Sequence, residues 1–187
     1  MKKILVIILT ITMLANMGVA QSLKVTILNP RPNINIDPST QTIALSLGKQ
    51  ITDEFRIDSG SGLKKTDVTG WLQSLKNGFN NAFSDSYKVV EDKSTADIVL
   101  TITRAEPIIA FGTYTKTLSA SVSSSSVLAH LTYSANLEYK DNKLIHRTAG
   151  TINSKKEILR PKEANAVFQD AIETMYEAMI PELLKKQ

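Results

Sequence analysis

Cysteine is absent from this chain of 187 residues, and histidine occurs only at His130 and His146. The lack of cysteine excludes disulfide bonds, thiolate metal sites and a cysteine nucleophile. It also excludes a lipid-bearing cysteine at the start of an exported chain. The chemistry open to this protein is therefore narrow.

The sequence also lacks the motifs of common catalytic sites. Gly60 and Gly62 lie in the segment DSGSG, which has neither the following lysine nor the strand-to-helix placement of a phosphate-binding loop. No calcium-binding loop and no Ser-His-Asp order with a nucleophile elbow is present. We therefore expect no catalytic residue, no metal ion and no cofactor, and we predict that the protein is not an enzyme.

The two histidines are expected to lie far apart. The dipeptide Asp141-Asn142 predicts a tight turn, which would place His146 opposite Leu137 on an antiparallel neighbour. His130 lies further along that strand, about 23 Å away at roughly 3.3 Å per residue. The two imidazoles cannot share a metal ion or a proton relay, although either could act as a lone general base.

The start of the chain has the pattern of an export signal. The dipeptide Lys2-Lys3 precedes an apolar run over 4–14, and Gly18-Val19-Ala20 supplies the small residues of a cleavage site. The apolar run is too short to span a membrane comfortably and contains threonines. We predict a cleavable signal peptide over 1–20 and a single α+β domain over 21–187, with an uncleaved membrane anchor as the alternative.

The net charge argues against a nucleic-acid partner. The chain has 22 basic and 18 acidic residues, and two of the basic residues lie in the predicted signal. Removal of the signal leaves 20 basic against 18 acidic residues, a net charge of +2. A charge this small gives little attraction to a phosphate backbone. We expect an exported protein without a transmembrane segment, periplasmic or secreted, either free or peripherally associated with the outer membrane.

The clearest structural pattern covers 127–140. Odd-numbered positions there are apolar and even-numbered positions are mostly polar, which is the period of two of a strand with one buried face. A strand of about 14 residues is roughly 45 Å long. This length predicts a central strand of an antiparallel sheet.

A second alternation, over 112–125, places threonines and serines on one side and apolar residues on the other. A connecting loop over 123–126 would join this segment to the long strand as a hairpin. The apolar pairs would then be Val122 with Val127, Ala120 with Ala129 and Leu118 with Leu131. The row of hydroxyl groups is either a solvated strand surface or a contact surface for a glycan or lipopolysaccharide.

Two helices are predicted from apolar stripes that recur at three- and four-residue steps. The first covers 66–84, with Thr66 as its N-cap, and contains Trp71, the only tryptophan. Trp71 is expected to anchor the core, with stacking on a ligand as the alternative. The second helix begins near Pro161, and Pro181 is expected to kink it or to start a final turn.

Shorter strands are expected elsewhere in the chain. Leu23, Val25 and Ile27 predict a first strand with these three residues on one side, and Pro107 is expected to end a later strand. Further strands are predicted over 43–47, 87–90, 98–103 and 144–152. The order of elements favours a two-layer α+β sandwich, with a mainly antiparallel sheet and two helices packed on one face.

Two short segments carry a family resemblance. Tyr87-Lys88-Val89-Val90 and Ala96-Asp97-Ile98-Val99-Leu100 follow an amphipathic helix and precede a meander and a final helix. In this order they resemble small bacterial envelope proteins of the YajG type and, more distantly, the lipopolysaccharide-assembly lipoprotein and the auxiliary lipoproteins of lipid-exporting ABC systems. The resemblance implies a two-helix, one-sheet fold in the cell envelope and carries no functional residues over. Those families usually have a cysteine directly after the signal, where this chain has Gln21.

We interpret the chain as a non-enzymatic, exported cell-envelope protein that binds a partner protein, a lipid or a glycan. Its contact surface is expected to be the open sheet face or the apolar patch 108–111, which is either a strand start or an exposed loop. The candidate surface residues are Ile108, Ile109, Phe111, Thr113, Thr115, Thr117 and Ser119. The alternatives are a small secreted hydrolase that uses one histidine and a structural subunit of an envelope assembly. The oligomeric state is left open.

Overall fold

The computed structural model describes residues 23–58, 65–114, 124–140, 144–156 and 163–185. The strands in these ranges are β1 Leu23–Val25, β2 Thr42–Leu47, β3 Phe55–Ile57, β4 Thr66–Val68, β5 Lys88–Val89, β6 Ile98–Tyr114, β7 Ser124–Tyr139 and β8 Leu144–Asn153. The helices are α1 Trp71–Phe83 and α2 Ala164–Leu183. The predicted signal peptide, the Asp141-Asn142 turn and Pro161 lie outside the described residues.

The described strands form two sheets. One has five strands in the order β5-β2-β6-β7-β8, and the other has three in the order β1-β4-β3. Strand β2 runs parallel to β5 and β6, whereas β6, β7 and β8 are antiparallel. The predicted α+β fold with two helices is confirmed, and its sheets are mixed rather than purely antiparallel. The parallel pairs arise because α1 follows β2 and carries the chain back before β5 and β6 begin.

The long hairpin of β6 and β7 corrects the predicted pairing. Its register places Phe111 opposite Val127, Ile109 opposite Ala129 and Pro107 opposite Leu131. On the other side of β7, Leu131 lies opposite Ile152 of β8. Both sides of β7 are therefore occupied by other strands, and the pairing predicted for the segment 112–125 is wrong. That segment is divided between the end of β6 and the start of β7, and 115–123 lie outside the described residues.

Pro107 does not end a strand, contrary to the prediction, but lies inside β6. Strand β2 pairs with β6 only as far as Ile102, so the following residues of β6 have a free edge. The Ala105 carbonyl on that edge accepts a hydrogen bond from the Trp71 indole, at 3.0 Å. Backbone groups two residues apart in a strand point to the same side. The missing N–H of Pro107 therefore falls on the free edge, where no strand requires it.

Helix α1 begins at Trp71, and the predicted N-cap Thr66 lies in β4 instead. The residue before the helix is Gly70, which has a φ of 69° and no side chain to cap with. Asp53 supplies the missing acceptors from a distant loop, since its carbonyl accepts the Trp71 N–H at 3.1 Å and its carboxylate accepts the Leu72 N–H at 2.9 Å. The first N–H groups of a helix need such acceptors. No local sequence pattern reveals a cap from so far away.

Both helices pack on the same face of the five-stranded sheet and contact each other. The hydroxyl of Tyr176 in α2 donates a hydrogen bond to the Leu75 carbonyl in α1, at 2.7 Å. Burial raises the pKa of Tyr176 far above its ordinary value, so the phenol stays protonated. Gly78 permits the close approach, because a Cβ there would lie 2.6 Å from Tyr176 Cε2.

Trp71 is a core residue, as predicted, with 1% of its surface exposed. Its ring packs edge-on against Phe55 and Phe168, with centroid distances of 5.8 and 6.4 Å. Such edge-to-face pairs stabilise a core beyond simple burial. At the far end of the helix layer, Pro181 lies within α2, which continues to Leu183.

The segment 26–36, which we call the strap, replaces the second half of the predicted first strand. It has no regular structure, and Ile27 is exposed instead of sharing a buried face with Val25. Side chains of both helices hydrogen-bond its backbone. These bonds join Leu28 N–H to Ser74, Asn81 to the Pro30 carbonyl, Arg31 N–H to Glu173 and Asn33 N–H to Glu177.

Candidate functional site

The side chains of β7 alternate between the two faces of the five-stranded sheet. On the inner face, toward the helices, Ala129, Leu131, Tyr133, Ala135 and Leu137 are buried. The residues that alternate with them are half-exposed. Because directly opposed residues on neighbouring strands share a face, the partners of these half-exposed residues on β6 and β8 complete a second surface. We call this surface the outer face.

The outer face carries hydroxyl or amide side chains at half of the positions in its four rows. Its rows across β6, β7 and β8 are Ile108–His130–Asn153, Glu106–Thr132–Thr151, Arg104–Ser134–Ala149 and Thr101–Asn136–Arg147. Neighbouring strands are about 4.8 Å apart, and residues on one face repeat about every 6.8 Å along a strand. The outer face thus presents hydrogen-bonding groups at regular spacings on an open surface.

Some of the hydroxyl groups on the outer face bind each other. Thr103 Oγ1 lies 2.6 Å from Ser134 Oγ, and Thr132 Oγ1 lies 3.1 Å from Thr151 Oγ1. A hydroxyl has one donor and two acceptor positions. Each pair therefore keeps free hydrogen-bonding capacity for a ligand that approaches from solvent.

The charges on the outer face largely cancel. Arg104 and Glu106 form an ion pair at 2.6 Å, with about half of each side chain exposed. An exposed pair of this kind contributes little to stability. Arg147, which is exposed, and Glu138, which is half-exposed, are of opposite sign. The outer face therefore has no strong field that would select a highly charged ligand.

The histidines lie on opposite faces of the sheet. His146 is opposite Leu137, as predicted, and so lies on the inner face. His130 lies on the outer face between Ile108 and Asn153. Within the described strands neither histidine has a serine directly opposite it. In the described strands, therefore, no hydroxyl nucleophile lies directly opposite either imidazole.

The predicted surface residues do not form one patch. Ile108 lies on the outer face and is 55% exposed. Ile109, the next residue, lies on the inner face and packs partly buried against the core. Phe111 and Thr113 belong to β6, so the patch is strand and not loop. The remaining predicted residues, Thr115, Thr117 and Ser119, lie outside the described residues.

The hydroxyl groups of the outer face were missed as a set by the sequence reasoning. The prediction placed a hydroxyl row over 112–125, whereas the structure assembles one from three separate strands. The signal was present in the segment IVLTIT, where Thr101 and Thr103 alternate with apolar residues. Alignment of those polar positions with Thr132 and Ser134 on the antiparallel neighbour would have found it.

Asp97, from the Ala96-Asp97-Ile98-Val99-Leu100 segment, has a structural role at the end of the sheet. Its carboxylate accepts hydrogen bonds from the Thr42 N–H at 2.8 Å and the Thr42 hydroxyl at 2.7 Å. These two bonds lower the pKa of Asp97 below its ordinary value. The Asp97 carbonyl also accepts the Lys140 N–H, at 2.9 Å. Asp97 therefore fastens the ends of β2, β6 and β7 together.

The described ranges contain neither a metal-binding cluster of side chains nor a membrane-spanning helix. No group of three or more histidine, aspartate or glutamate side chains there is arranged to hold a metal ion. No helix of those ranges is long and apolar enough to cross a membrane.

The chain matches no known protein-family model and no curated protein. Among solved structures, a Xanthomonas campestris protein of family DUF330 is similar over 84% of this chain and 92% of that chain, with 15% identity and a TM-score of 0.53. A minor lipoprotein from Acinetobacter baumannii matches 76% of this chain and 90% of that one, with 12% identity and a TM-score of 0.44. Uncharacterized lipoprotein B from Nitrosomonas europaea matches 78% and 85%, with 12% identity and a TM-score of 0.42.

The similarity to the Xanthomonas protein shows a shared fold. Bacterial lipoproteins of unknown role also occur among the structural neighbours. The closer resemblance to proteins of the YajG type stays a prediction. At these identities, no ligand or activity passes from a neighbour to this chain.

Proposed function

We propose that this chain is a non-enzymatic, exported protein of the bacterial envelope that binds a glycan across its outer face. The observation that carries the proposal is the array of hydroxyl and amide side chains on β6, β7 and β8. Sugars present hydroxyl groups that both donate and accept hydrogen bonds. Side chains such as Ser134 and Asn136 offer the same two functions.

The charge and polarity of the outer face favour a glycan over the other ligands. A lipid chain needs a continuous apolar surface, and Ile108 is the one exposed large hydrophobic side chain that the described part of the outer face presents. A highly charged polymer needs excess charge of one sign, whereas Arg104 and Glu106 neutralise each other. A structural subunit would expose a large apolar surface, and the other exposed large hydrophobic residue of the described ranges, Ile27, lies in the strap instead.

The envelope location is supported by the N-terminal sequence. Lys2-Lys3, the apolar run over 4–14 and Gly18-Val19-Ala20 have the order and lengths of an export signal. The mature chain would begin near Gln21 without a cysteine to carry a lipid. We therefore place the protein in the periplasm or outside the cell, held to the envelope by what it binds.

A binding titration tests the glycan proposal. Purified protein is titrated with lipopolysaccharide-derived oligosaccharides and with soluble peptidoglycan fragments in a calorimeter. The double variant Thr132→Ala, Thr151→Ala removes the hydroxyl pair that spans β7 and β8. We expect its affinity for the bound glycan to fall about fivefold to 150-fold, because the loss of two hydrogen bonds corresponds to about 1–3 kcal/mol.

The matched control is Thr148→Ala. Thr148 is on β8 like Thr151, but it lies on the inner face and is half-exposed. Circular dichroism establishes that all variants are folded. The glycan proposal fails if neither class of saccharide binds at millimolar concentration, or if Thr148→Ala weakens binding as much as the outer-face double variant does.

A further inference from the structure

The free edges of the sheets differ in how well they are protected from other strands. The five-stranded sheet ends in β5 on one side and β8 on the other. Strand β5 has 2 residues, one of which is Lys88, and the edge strands β1 and β3 of the smaller sheet have 3 residues each. Short strands and lysines both prevent edge-to-edge pairing. Strand β8, with 10 residues, is the long edge among the described strands.

The other long stretch of edge that no described strand pairs with, on β6 beyond β2, is blocked by side chains where it begins. The Thr103 carbonyl accepts a hydrogen bond from the Gln50 amide, and the Ala105 carbonyl accepts one from Trp71. Pro107 then interrupts the edge by lacking an N–H. Where β7 extends past β8, the backbone of Ala129 is bonded in both directions to Ser154. The Thr103 and Ala105 carbonyls on β6 and the backbone of Ala129 on β7 are thus already bonded.

Strand β8 has none of these protections within the described residues. It contains no proline, and Arg147 is its one residue with a permanent charge. Alternate N–H and C=O groups along β8 point away from β7, and no described strand pairs with them. The outer-face side chains Arg147, Ala149 and Thr151 are exposed. An edge of this length and composition is typical of strand addition.

We infer that a second copy of this chain covers the β8 edge, by antiparallel pairing of β8 with β8 about a two-fold axis. A second copy fits because the edge is self-complementary: each β8 supplies the strand that the other lacks. The inner faces of both copies must lie on the same side of the joined sheet, so a residue of β8 has to sit opposite itself. Repulsion disfavours registers that bring the two Arg147 side chains close, and centring the pair on Ala149 keeps nearly all of β8 paired. With Ala149 opposite Ala149, Arg147 faces Thr151, and the two arginines are about 13 Å apart along the strands.

The register gives a covalent test, because the chain has no cysteine of its own. Opposed Cα atoms in an antiparallel pair are about 4.5–5.5 Å apart, which is within the range of a disulfide bond. We expect the A149C variant to form a disulfide-linked dimer rapidly under mild oxidation. The matched control is K88C, on the exposed β5 edge, which we expect to form no disulfide-linked dimer.

Light scattering on the purified protein tests the same dimer without a cross-link. We expect the unmodified chain to be a dimer at micromolar concentration. Ala149→Lys places two ammonium groups opposite each other and should weaken dimerisation at least tenfold, whereas Thr132→Lys, on the neighbouring strand, should leave it unchanged. Circular dichroism shows that the variants are folded.

The β8 pairing is overturned if the chain is still monomeric at about 100 μM. This concentration is about ten to a hundred times the one at which we expect the dimer. A dimer that Ala149→Lys leaves intact overturns it too, as does cross-linking of A149C no faster than that of K88C. The inference does not depend on the glycan proposal, because β8 can pair through its backbone whether or not the outer face binds a saccharide.

Discussion

The side chains on the two faces of β7 differ in burial and in chemistry, although they share one backbone. Ala129, Leu131 and Ala135 on the inner face are buried under the helices. Thr132 and Ser134, between them in sequence, are half-exposed and carry hydroxyl groups. The inner face is constrained by packing, whereas the outer face is free of that constraint. The difference teaches that one strand can hold the core and a polar, solvent-facing surface without conflict, because its side chains alternate.

The largest expected effect is on the inner face. Leu131→Ala removes a fully buried side chain at the centre of the sheet and leaves a cavity. We expect the free energy of unfolding to fall by about 2–5 kcal/mol. Urea denaturation followed by circular dichroism measures this change. A loss below about 1 kcal/mol would show that the inner face is not tightly packed.

The second prediction concerns the packing of the helix layer on the inner face. Gly78→Ala adds a methyl group where a Cβ would lie 2.6 Å from the Tyr176 ring. We expect a loss of about 1–2 kcal/mol in the free energy of unfolding, because overpacking outweighs the better helix propensity of alanine. The control is Asn80→Ala, at an exposed position of α1. We expect Asn80→Ala to stabilise the protein, because alanine has the better helix propensity. If Gly78→Ala stabilises it too, the two helices do not approach each other as closely as described.

The third prediction is that the free energy of unfolding depends on pH through Asp97, at the end of the sheet where β2, β6 and β7 are held together. The pKa of Asp97 is lowered in the folded chain by hydrogen bonds from Thr42. Ionised Asp97 therefore favours the fold above its ordinary pKa of about 4, and this contribution is lost as pH falls through the lowered folded-state value. Thr42→Val removes the hydrogen bond from the Thr42 hydroxyl to Asp97. The free energy of unfolding of this variant should therefore fall below that of the unmodified chain by more at pH 7 than at pH 2.

Titration of the Asp97 carboxyl by NMR measures the same effect directly. We expect its pKa to rise in Thr42→Val toward the ordinary aspartate value. The pKa of Asp92, which is lowered by Ser94, should not change. An unchanged pKa of Asp97 in Thr42→Val would show that the Thr42 hydroxyl does not lower it.

The smallest expected effect is on the outer face. Thr132→Ala, next to Leu131, removes one hydroxyl contact with Thr151. We expect the free energy of unfolding to change by no more than about 1 kcal/mol. The same urea denaturation measures it. A loss as large as that of Leu131→Ala would abolish the distinction between the two faces.

The sequence predicted those elements whose pattern is local and periodic. The alternation over 127–140 identified β7 and its buried face, and the stripe after Pro161 identified α2. The return of β8 opposite β7, with His146 facing Leu137, followed from a short connection. In each case the residues that determine the structure are neighbours in the chain.

The sequence could not predict features that depend on distant partners. Apolar alternation in β2 does not say whether its neighbours are parallel, and here both are. The start of α1 depends on Asp53, and the position of Pro107 depends on an edge capped by Trp71. The outer face escaped for the same reason, since its hydroxyl groups come from three strands. The candidate site was therefore predicted in kind, as an open sheet face with hydroxyl groups, but not in its residues.

The strap has a consequence for the order in which the chain assembles. Its N–H groups bond to side chains that follow it by 46 residues, as Leu28 does to Ser74, or by 144, as Asn33 does to Glu177. Pairing over such distances waits for the intervening chain to fold. The strap, which leaves the ribosome before most of the described residues, is thus among the last segments to be locked in place. In a refolding experiment, the amide of Asn33 gains protection from hydrogen exchange only after α2 has docked.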